Sequence, residues 1–303
     1  MTGAVAGDVW LVANPRAGGG RAGAHARTAL GRLNDAGVAC RLVLPTSASA
    51  ATDVAAQAAA AGARAVVACG GDGTVHAVLQ SLVDGPTPLG VVAGGSGDDI
   101  AASLGMATGD PEDTASWLVA ALAGGRTRQV DVGVARTDDG TSRHFLSVLC
   151  TGFDASVNER ANRMSRMGGQ RYNVAIVREL ASFTALKYRV RMDDSERTGE
   201  GMLVSVGNGP RYGGGMRICP QAQMDDGQLD VLWLGAVSRP TLLRVFPTVF
   251  RGTHVLHPAV STYRARTVRV EAPGQIAYAD GERIGPLPVD VTVRPGALAV
   301  LTT

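Results

Sequence analysis

The first 125 residues alternate short apolar runs with longer stretches that carry apolar side chains at helical spacing. A short run of buried, β-branched residues is typical of a strand, and apolar positions three or four apart are typical of a helix. Strands that alternate with helices in this way form βαβ units around a parallel sheet. The pattern therefore predicts an α/β domain, with strands at 8–13, 38–44, 65–68 and 89–92 and helices at 22–35, 50–61, 75–83 and 111–123.

The pattern changes after Gly125, where strand-like runs follow one another with one predicted helix among them, at 172–186. An Asp-Gly pair between alternating residues favours a hairpin turn, so residues 128–149 predict a hairpin around Asp139 and Gly140. A run of strands after a run of βα units predicts a second, antiparallel β domain. We place the domains at 1–125 and 126–303, with C-terminal residues able to pack back on the first domain, and further strands at 187–192, 202–207, 229–234, 267–271, 289–293 and 298–301.

Glycine-rich loops follow three of the predicted strands in the first domain, at the edge of a parallel sheet where ligands usually bind. A strand, a tight loop and a helix direct backbone N–H groups and the positive end of a helix dipole at one point, which suits a phosphate. The negative charge of Asp72 opposes an anion there unless a cation such as Mg²⁺ binds with it. The loops contain Asn14, Pro15 and glycines 18–20; Gly70, Gly71, Asp72, Gly73 and Thr74; and Gly95, Ser96, Gly97, Asp98 and Asp99.

Composition excludes several classes of function. A net charge of +2 gives no general argument for binding nucleic acid. The only lysine, Lys187, lies in an alternating strand pattern, which excludes a Walker-type phosphate loop, a protein-kinase ATP site and a Schiff-base mechanism. The four cysteines are far apart, which favours a reduced, cytosolic setting. We find neither a charge-free stretch of membrane-spanning length nor a secretory signal, and we expect a cytoplasmic protein.

Two further segments contain clustered carboxylates. In extended chain Asp280 and Glu282 would project to the same side, which suits metal coordination and general-base work. The alternative is an ordinary Asp-Gly hairpin turn followed by a solvated Glu. Asp225 and Asp226 suit a hard cation, and a solvated turn before a strand is the alternative there.

A basic segment at 160–171 precedes the apolar residues 172–186. This combination suits an anionic membrane surface. A solvated loop that leads into a core helix is the alternative.

Taken together and in order, these motifs resemble the diacylglycerol kinase catalytic family, in its bacterial branch of soluble diacylglycerol kinases and lipid kinases akin to sphingosine kinases. The resemblance covers nearly the whole chain. It is carried by Asn14 and Pro15, Gly70 to Thr74, Gly95 to Asp99, Gly152-Phe153-Asp154-Ala155, Asn208 and Gly209 with glycines 213–215, Asp226 and Gly227, and Asp280-Gly281-Glu282.

The resemblance implies a phosphofructokinase-like α/β domain, a C-terminal β-sandwich and an active site in the cleft between them. It also implies ATP as co-substrate, Mg²⁺ as cofactor and a lipid as acceptor. Asp72 and Asp99 would hold the catalytic Mg²⁺, and Asp280 or Glu282 would accept the proton of the lipid hydroxyl. A structural Mg²⁺ would lie at Asp226 with carbonyl groups of Gln223 and Gln228. The nucleotide would contact Asn14, Pro15, Thr46, Gly70, Gly71, Asp72, Gly73, Thr74, Gly95, Ser96 and Asp99.

One departure from the family pattern is Asp98, which stands where the family usually has Asn. A further carboxylate near phosphates is unfavourable unless it binds metal or points away. An NAD-kinase-like phosphotransferase and a catalytically silent regulator that binds nucleotide or lipid are the alternatives. Peripheral contact with a membrane and a homodimer are both left open.

Overall fold

The protein is described by a computed structural model, which covers residues 7–164 and 171–303. In chain order the strands are β1 (Val9–Ala13), β2 (Cys40–Val43), β3 (Ala65–Gly70), β4 (Leu89–Ala93), β5 (Arg126–Thr137), β6 (Ser142–Phe145), β7 (Val148–Cys150), β8 (Leu186–Met192), β9 (Ser195–Gly207), β10 (Leu229–Gly235), β11 (Val260–Ala265), β12 (Thr267–Glu271), β13 (Ile276–Ala279), β14 (Glu282–Pro286) and β15 (Val289–Thr302). The helices are α1 (Arg21–Asp35), α2 (Ala48–Ala60), α3 (Asp72–Leu79), α4 (Asp99–Ser103), α5 (Pro111–Gly124), α6 (Phe153–Arg163), α7 (Arg171–Ser182) and α8 (Arg239–Val245).

The chain divides into two units, and the division falls inside β5 after Val132 and inside β15 before Pro295. The first unit contains a parallel sheet in the order β2, β1, β3, β4. Its last strand comes from the C-terminal residues, because Val300 of β15 pairs in parallel with Leu89 of β4. The predicted α/β architecture is therefore confirmed for this unit.

The core of the first unit follows from the two-residue repeat of its strands. Alternate side chains of β1, among them Val9 and Leu11, pack with Leu33 of α1 and Leu118 of α5. Val12, whose side chain points to the opposite face from Leu11, is also completely buried, so the sheet is covered on both faces. Burial on both faces explains why these strands read as continuous apolar runs.

The second unit is built from antiparallel pairs, as predicted. The pairing runs from β14 through β13, β7, β9 and β8 to β12, which pairs with the first half of β15. Alternation along β10 separates two cores: Val231 and Trp233 pack in one, and Leu232 and Leu234 pack in the other, with side chains of α6 to α8.

The structure corrects three predicted elements. The strand expected at 144–149 is interrupted at Leu146 and Ser147, where a bend separates β6 from β7. The strands expected at 289–293 and 298–301 are one continuous strand, β15. The helix expected at 172–186 ends at Ser182, because residues 186–192 form β8.

Within the described part of the chain, no helix combines the length and the apolar composition that crossing a bilayer requires.

Candidate functional site

The three glycine-rich loops of the first unit pack backbone against backbone. A Cβ atom on Gly18 would lie 2.0 Å from the carbonyl oxygen of Gly94, and one on Gly95 would lie 2.4 Å from Cα of Gly71. Distances this short leave no room for a side chain, so glycine is required at these contacts. The loops that follow β1, β3 and β4 are therefore brought together, as their position in the sequence predicts.

Asp72 joins two of these loops. It is the first residue of α3, and its carboxylate accepts hydrogen bonds from the N–H groups of Ile100, at 2.9 Å, and Asp99, at 3.3 Å. The carboxylate thus caps the first turn of α4, whose terminal N–H groups otherwise lack intrahelical acceptors. The carboxylate of Asp72 therefore lies against the backbone of Asp99, and the expectation that the two carboxylates hold one Mg²⁺ stays a prediction.

Asp98 is the residue that departs from the family pattern. Its backbone is left-handed, with φ of 57°, a conformation that Asp and Asn tolerate better than most residues. Its Oδ1 accepts the N–H of Gly95 at 2.8 Å, so the side chain closes its own loop. Burial raises the pKa of Asp98, and the bond from Gly95 opposes that rise. The additional carboxylate is therefore directed at the loop backbone.

Arg21 supplies a cation that the sequence motifs did not reveal. It is the first residue of α1, and its guanidinium donates to the carbonyl oxygens of Gly18 and Gly95. The side chain therefore connects the β1 loop with the β4 loop. Its place directly after three glycines in a chain with a single lysine was the available signal.

The remaining residues expected to contact the nucleotide differ in their location in the first unit and in their exposure to solvent. Asn14 directly follows β1, and its N–H donates to Cys69, which places it beside the Gly70 loop. Thr46 and Ser96 are exposed, and Thr46 immediately precedes the N-cap of α2. Thr74 is buried against Gly70. Their contacts with a nucleotide stay predictions.

The donor set of Asp72 and Asp99 suits Mg²⁺, a hard cation that prefers oxygen ligands. Mg²⁺ is usually held by one or two carboxylates with water and substrate phosphates, and rarely by a cage made of protein alone. Residues 7–164 and 171–303 contain no group of three or more acidic, His or Cys side chains that could hold a metal by themselves. The residues fit a cation that arrives with a phosphate ligand.

In the second unit, Asp280 and Gly281 form a tight turn, which is the hairpin turn that the sequence offered as the alternative to an extended chain. Both residues have positive φ, 52° and 82°, as a hairpin turn requires. Asp280 is buried, and its carboxylate accepts the N–H groups of Leu146, at 2.9 Å, and Ser147, at 2.8 Å. Glu282 is exposed. The two carboxylates therefore have opposite environments.

The bend at Leu146 and Ser147 is held from its other side by the motif at Asn208. The side-chain amide of Asn208 donates to the carbonyl of Leu146 at 2.9 Å, and the N–H groups of Asn208 and Gly209 donate to Ser147 at 2.9 and 2.8 Å. Motifs that are far apart in sequence, at 208 and 280, therefore stabilise one bend. The sequence did not predict the bend, because its two residues carry no turn signal.

Asp226, the carboxylate expected to hold a structural Mg²⁺, already has a cationic partner. One oxygen of Asp226 accepts the N–H of Gln228 at 3.0 Å, and the other accepts from the guanidinium of Arg264. Arg264 also approaches the carboxylate of Asp230 at 4.0 Å. A guanidinium thus occupies the position where a cation would balance Asp226, and Gln223 is exposed nearby.

A small apolar cavity lies inside the second unit. Its volume of about 30 Å³ is enough for about two water molecules, and its walls include Phe153, Leu232 and Phe246. Asp154 reaches the cavity and accepts a hydrogen bond from the hydroxyl of Tyr212. Burial raises the pKa of Asp154 to about 6. The motif at 152–155 therefore places a carboxyl group in apolar surroundings.

The basic segment at 160–171 is only partly described, because residues 165–170 lie outside the described residues. Arg160 pairs with Glu179 and Arg163 with Glu159. Ala175 and Leu180 of α7 are buried in the core, which matches the alternative of a core helix.

Two family models match the chain. Residues 8–135 match the diacylglycerol kinase catalytic domain. Residues 147–302 match the YegS C-terminal NAD kinase beta sandwich-like domain. The predicted fold class, an α/β domain followed by a β-sandwich, is confirmed by these matches and by the two units.

Individual proteins are similar over most of the chain. A diacylglycerol kinase of Mycobacterium tuberculosis is 40% identical over 297 residues, which is 97% of this chain and 95% of that protein. A "Probable lipid kinase YegS-like" of Chromohalobacter salexigens is 32% identical over 232 residues, 75% of this chain and 70% of that protein. The crystal structure of a diacylglycerol kinase from Bacillus anthracis has a TM-score of 0.72 at 19% identity, covering 98% of this chain and 97% of that one, and so shares the fold.

The contact between Gly95 and Gly71 predicts a specific cost of substitution. Gly95→Ala should lower the free energy of unfolding by about 2 kcal/mol, because a methyl group would overlap the Gly71 backbone. Gly124→Ala, in open space on α5, is the matched control and should be neutral or stabilising. Urea unfolding of the native protein and the two variants measures their free energies of unfolding. Equal losses of stability in the two variants would contradict the prediction.

The raised pKa of Asp154 predicts a pH-dependent stability. The pKa of Asp154 is about 6 in the folded protein against the usual 3.8, so between these two pH values the folded protein holds a proton that the unfolded chain has lost. The free energy of unfolding therefore falls as pH rises from 4 to 7. The loss is up to about 3 kcal/mol. Asp154→Asn keeps an acceptor for Tyr212 and should lack this loss. Unfolding curves of the native protein and the variant from pH 4 to pH 7 test this prediction. The same dependence of the free energy of unfolding on pH in both proteins would contradict it.

The Asp226–Arg264 pair predicts that the fold of the second unit needs no divalent cation. Chelation with EDTA should leave the melting temperature of the native protein unchanged. Arg264→Gln should acquire stabilisation by added Mg²⁺, because Asp226 and Asp230 lose their cationic partner. Arg266→Gln, an exposed neighbour on the chain, is the control. Destabilisation of the native protein by EDTA would show that a metal is required after all.

Proposed function

Because the chain belongs to the diacylglycerol kinase catalytic family, a family of lipid kinases, we propose that it transfers the γ-phosphate of ATP to a hydroxyl of diacylglycerol or a similar lipid. The resemblance inferred from the motifs is thereby confirmed at the level of the family. The observation that carries the proposal is the packing of three glycine-rich loops around Asp72, with Arg21 bonded across two of them.

The first unit would bind the phosphate donor. Loop N–H groups and the Arg21 guanidinium offer donors and positive charge for phosphate oxygens, in place of a phosphate-binding lysine. Mg²⁺, held by Asp72 and Asp99, would neutralise charge on the transferred phosphate. Such a site works by positioning and electrostatics and needs no covalent intermediate.

In the second unit, we assign the base to Glu282 and a positioning role to Asp280. Both oxygens of Asp280 accept backbone N–H groups, and its burial keeps it from an acceptor hydroxyl. Glu282 follows it in the turn and is exposed. Glu282 would take the hydroxyl proton as the oxygen bonds to the γ-phosphorus and ADP leaves with the electrons of the broken P–O bond.

Purified protein incubated with labelled ATP, Mg²⁺ and mixed micelles of diacylglycerol should transfer the label to the lipid. NAD is the competing acceptor, because the second family model is named after an NAD kinase sandwich. Label in NAD, or in neither acceptor, would refute the proposal.

The two carboxylates should respond differently to amide substitution. Glu282→Gln should lower kcat at least a hundredfold with the KM for ATP and the melting temperature unchanged, because the side chain is exposed. Asp280→Asn should lower the melting temperature as well, because its new amide would face two N–H donors. Full turnover in Glu282→Gln would show that the base is misassigned.

A further inference from the structure

We propose that residues 239–257 of the second unit form a docking segment for the surface of an anionic lipid bilayer. The proposal deepens the proposed function and rests on it, because a kinase of membrane lipids has to reach its acceptor at the bilayer. The observations that carry it are exposed apolar side chains, a local excess of arginine and the position of the segment over an apolar cavity.

Exposed large apolar side chains are concentrated in this segment. Of the four in the described residues, three lie here: Leu243 is 55% exposed, Phe250 49% and Leu256 81%. The fourth, Leu44, belongs to the first unit. Single exposed apolar residues are ordinary, whereas a local group of them marks an interaction surface.

The local backbone explains how these side chains become exposed. Helix α8 continues into a 3-10 helix at Phe246–Arg251, so Leu243 and Phe250 are seven positions apart on one helical run. Residues seven apart lie on about the same side of a helix. Gly252, with φ of 72°, ends the run. A second 3-10 helix follows at Thr253–Leu256, and its last residue is the exposed Leu256. On the inner side, Leu242 and Val249 are buried.

The charged residues of the segment have one sign. Residues 239–257 contain three arginines and no Asp or Glu. Arg239, Arg244 and Arg251 are exposed, and within residues 7–164 and 171–303 none of the three forms an ion pair. Exposed apolar residues interleaved with unpaired arginines are the combination that binds anionic lipid surfaces.

The inner side of the segment faces the apolar cavity described above. Leu242, Val245 and Val249 line it together with His254. The side that we assign to the bilayer and the side that walls the cavity therefore belong to the same short run of chain. The outer side combines exposed apolar residues with unpaired arginines, and this combination favours an anionic bilayer as the partner.

The test is sedimentation of the full chain with vesicles of phosphatidylcholine alone or of equal parts phosphatidylcholine and phosphatidylglycerol. The native protein should bind the anionic vesicles, release from them as salt rises, and bind the neutral vesicles weakly. The triple variant Arg239→Gln, Arg244→Gln, Arg251→Gln should bind about a hundredfold less tightly. The triple variant Leu243→Ser, Phe250→Ser, Leu256→Ser should bind at least tenfold less tightly.

Two matched controls remove the same chemistry elsewhere. Leu44→Ser removes the other exposed apolar side chain. The triple variant Arg126→Gln, Arg136→Gln, Arg143→Gln removes three other exposed arginines. Both should bind vesicles as the native protein does, and equal losses in control and docking-segment variants would overturn the proposal. Melting temperatures establish that every variant is folded.

A second readout separates this proposal from the proposed function. With a short-chain diacylglycerol that dissolves as a monomer, the docking-segment variants should phosphorylate at the native rate. Vesicle binding that depends on the segment, without phosphorylation of any lipid, would refute the proposed function alone. Unchanged vesicle binding in both docking-segment variants would overturn the docking proposal. Loss of a dimer in the apolar variant, with vesicle binding intact, would identify the surface as a contact between two copies.

Discussion

The candidate phosphate site depends on close contact between polypeptide backbones, and Asp72 stabilises that contact. Its carboxylate bonds to the first N–H groups of α4, which brings the loop after β3 to the loop after β4. Glycine at positions 18, 71, 94 and 95 makes the approach possible. A carboxylate that caps a helix also has the oxygen chemistry that a hard cation prefers, so the proposed function gives Asp72 a second role beside its architectural one.

The second unit uses the same physical device. Asp280 bonds to two adjacent N–H groups at a bend, and the motif at Asn208 supports that bend from the other side. In both units backbone N–H groups satisfy the carboxylate, and for the buried Asp280 this removes much of the cost of burying a charge. The neighbouring acidic residue Glu282 has the solvent access that Asp280 lacks. Backbone geometry thus gives two similar carboxylates the different environments on which their proposed roles rest.

Arginine provides almost all of the positively charged side chains of this protein, which has one lysine. Arg21 bonds two glycine loops, Arg264 balances Asp226, and Arg239, Arg244 and Arg251 belong to the proposed docking segment. A guanidinium can donate in several directions at once, which suits loop carbonyls and carboxylates that lie at an angle to one another. The chemistry of one residue type therefore links the phosphate site, the stability of the second unit and the surface proposed to contact lipid.

Local pattern was sufficient for the fold class, because strand and helix periodicity, glycine loops and hairpin signals are all short-range. The order of these motifs, through the family resemblance, pointed to Asp72, Asp99, Asp280 and Glu282, whose roles are proposals. Sequence did not reveal the bend at Leu146 and Ser147, the continuity of β15, the capping of α4 by Asp72 or the pairing of Asp226 with Arg264. Each of these depends on contacts between residues distant in the chain, and no local preference encodes such a contact. The exposure of Leu243, Phe250 and Leu256 was likewise decided by tertiary packing, since an apolar residue in a sequence does not reveal which side of a helix meets the core.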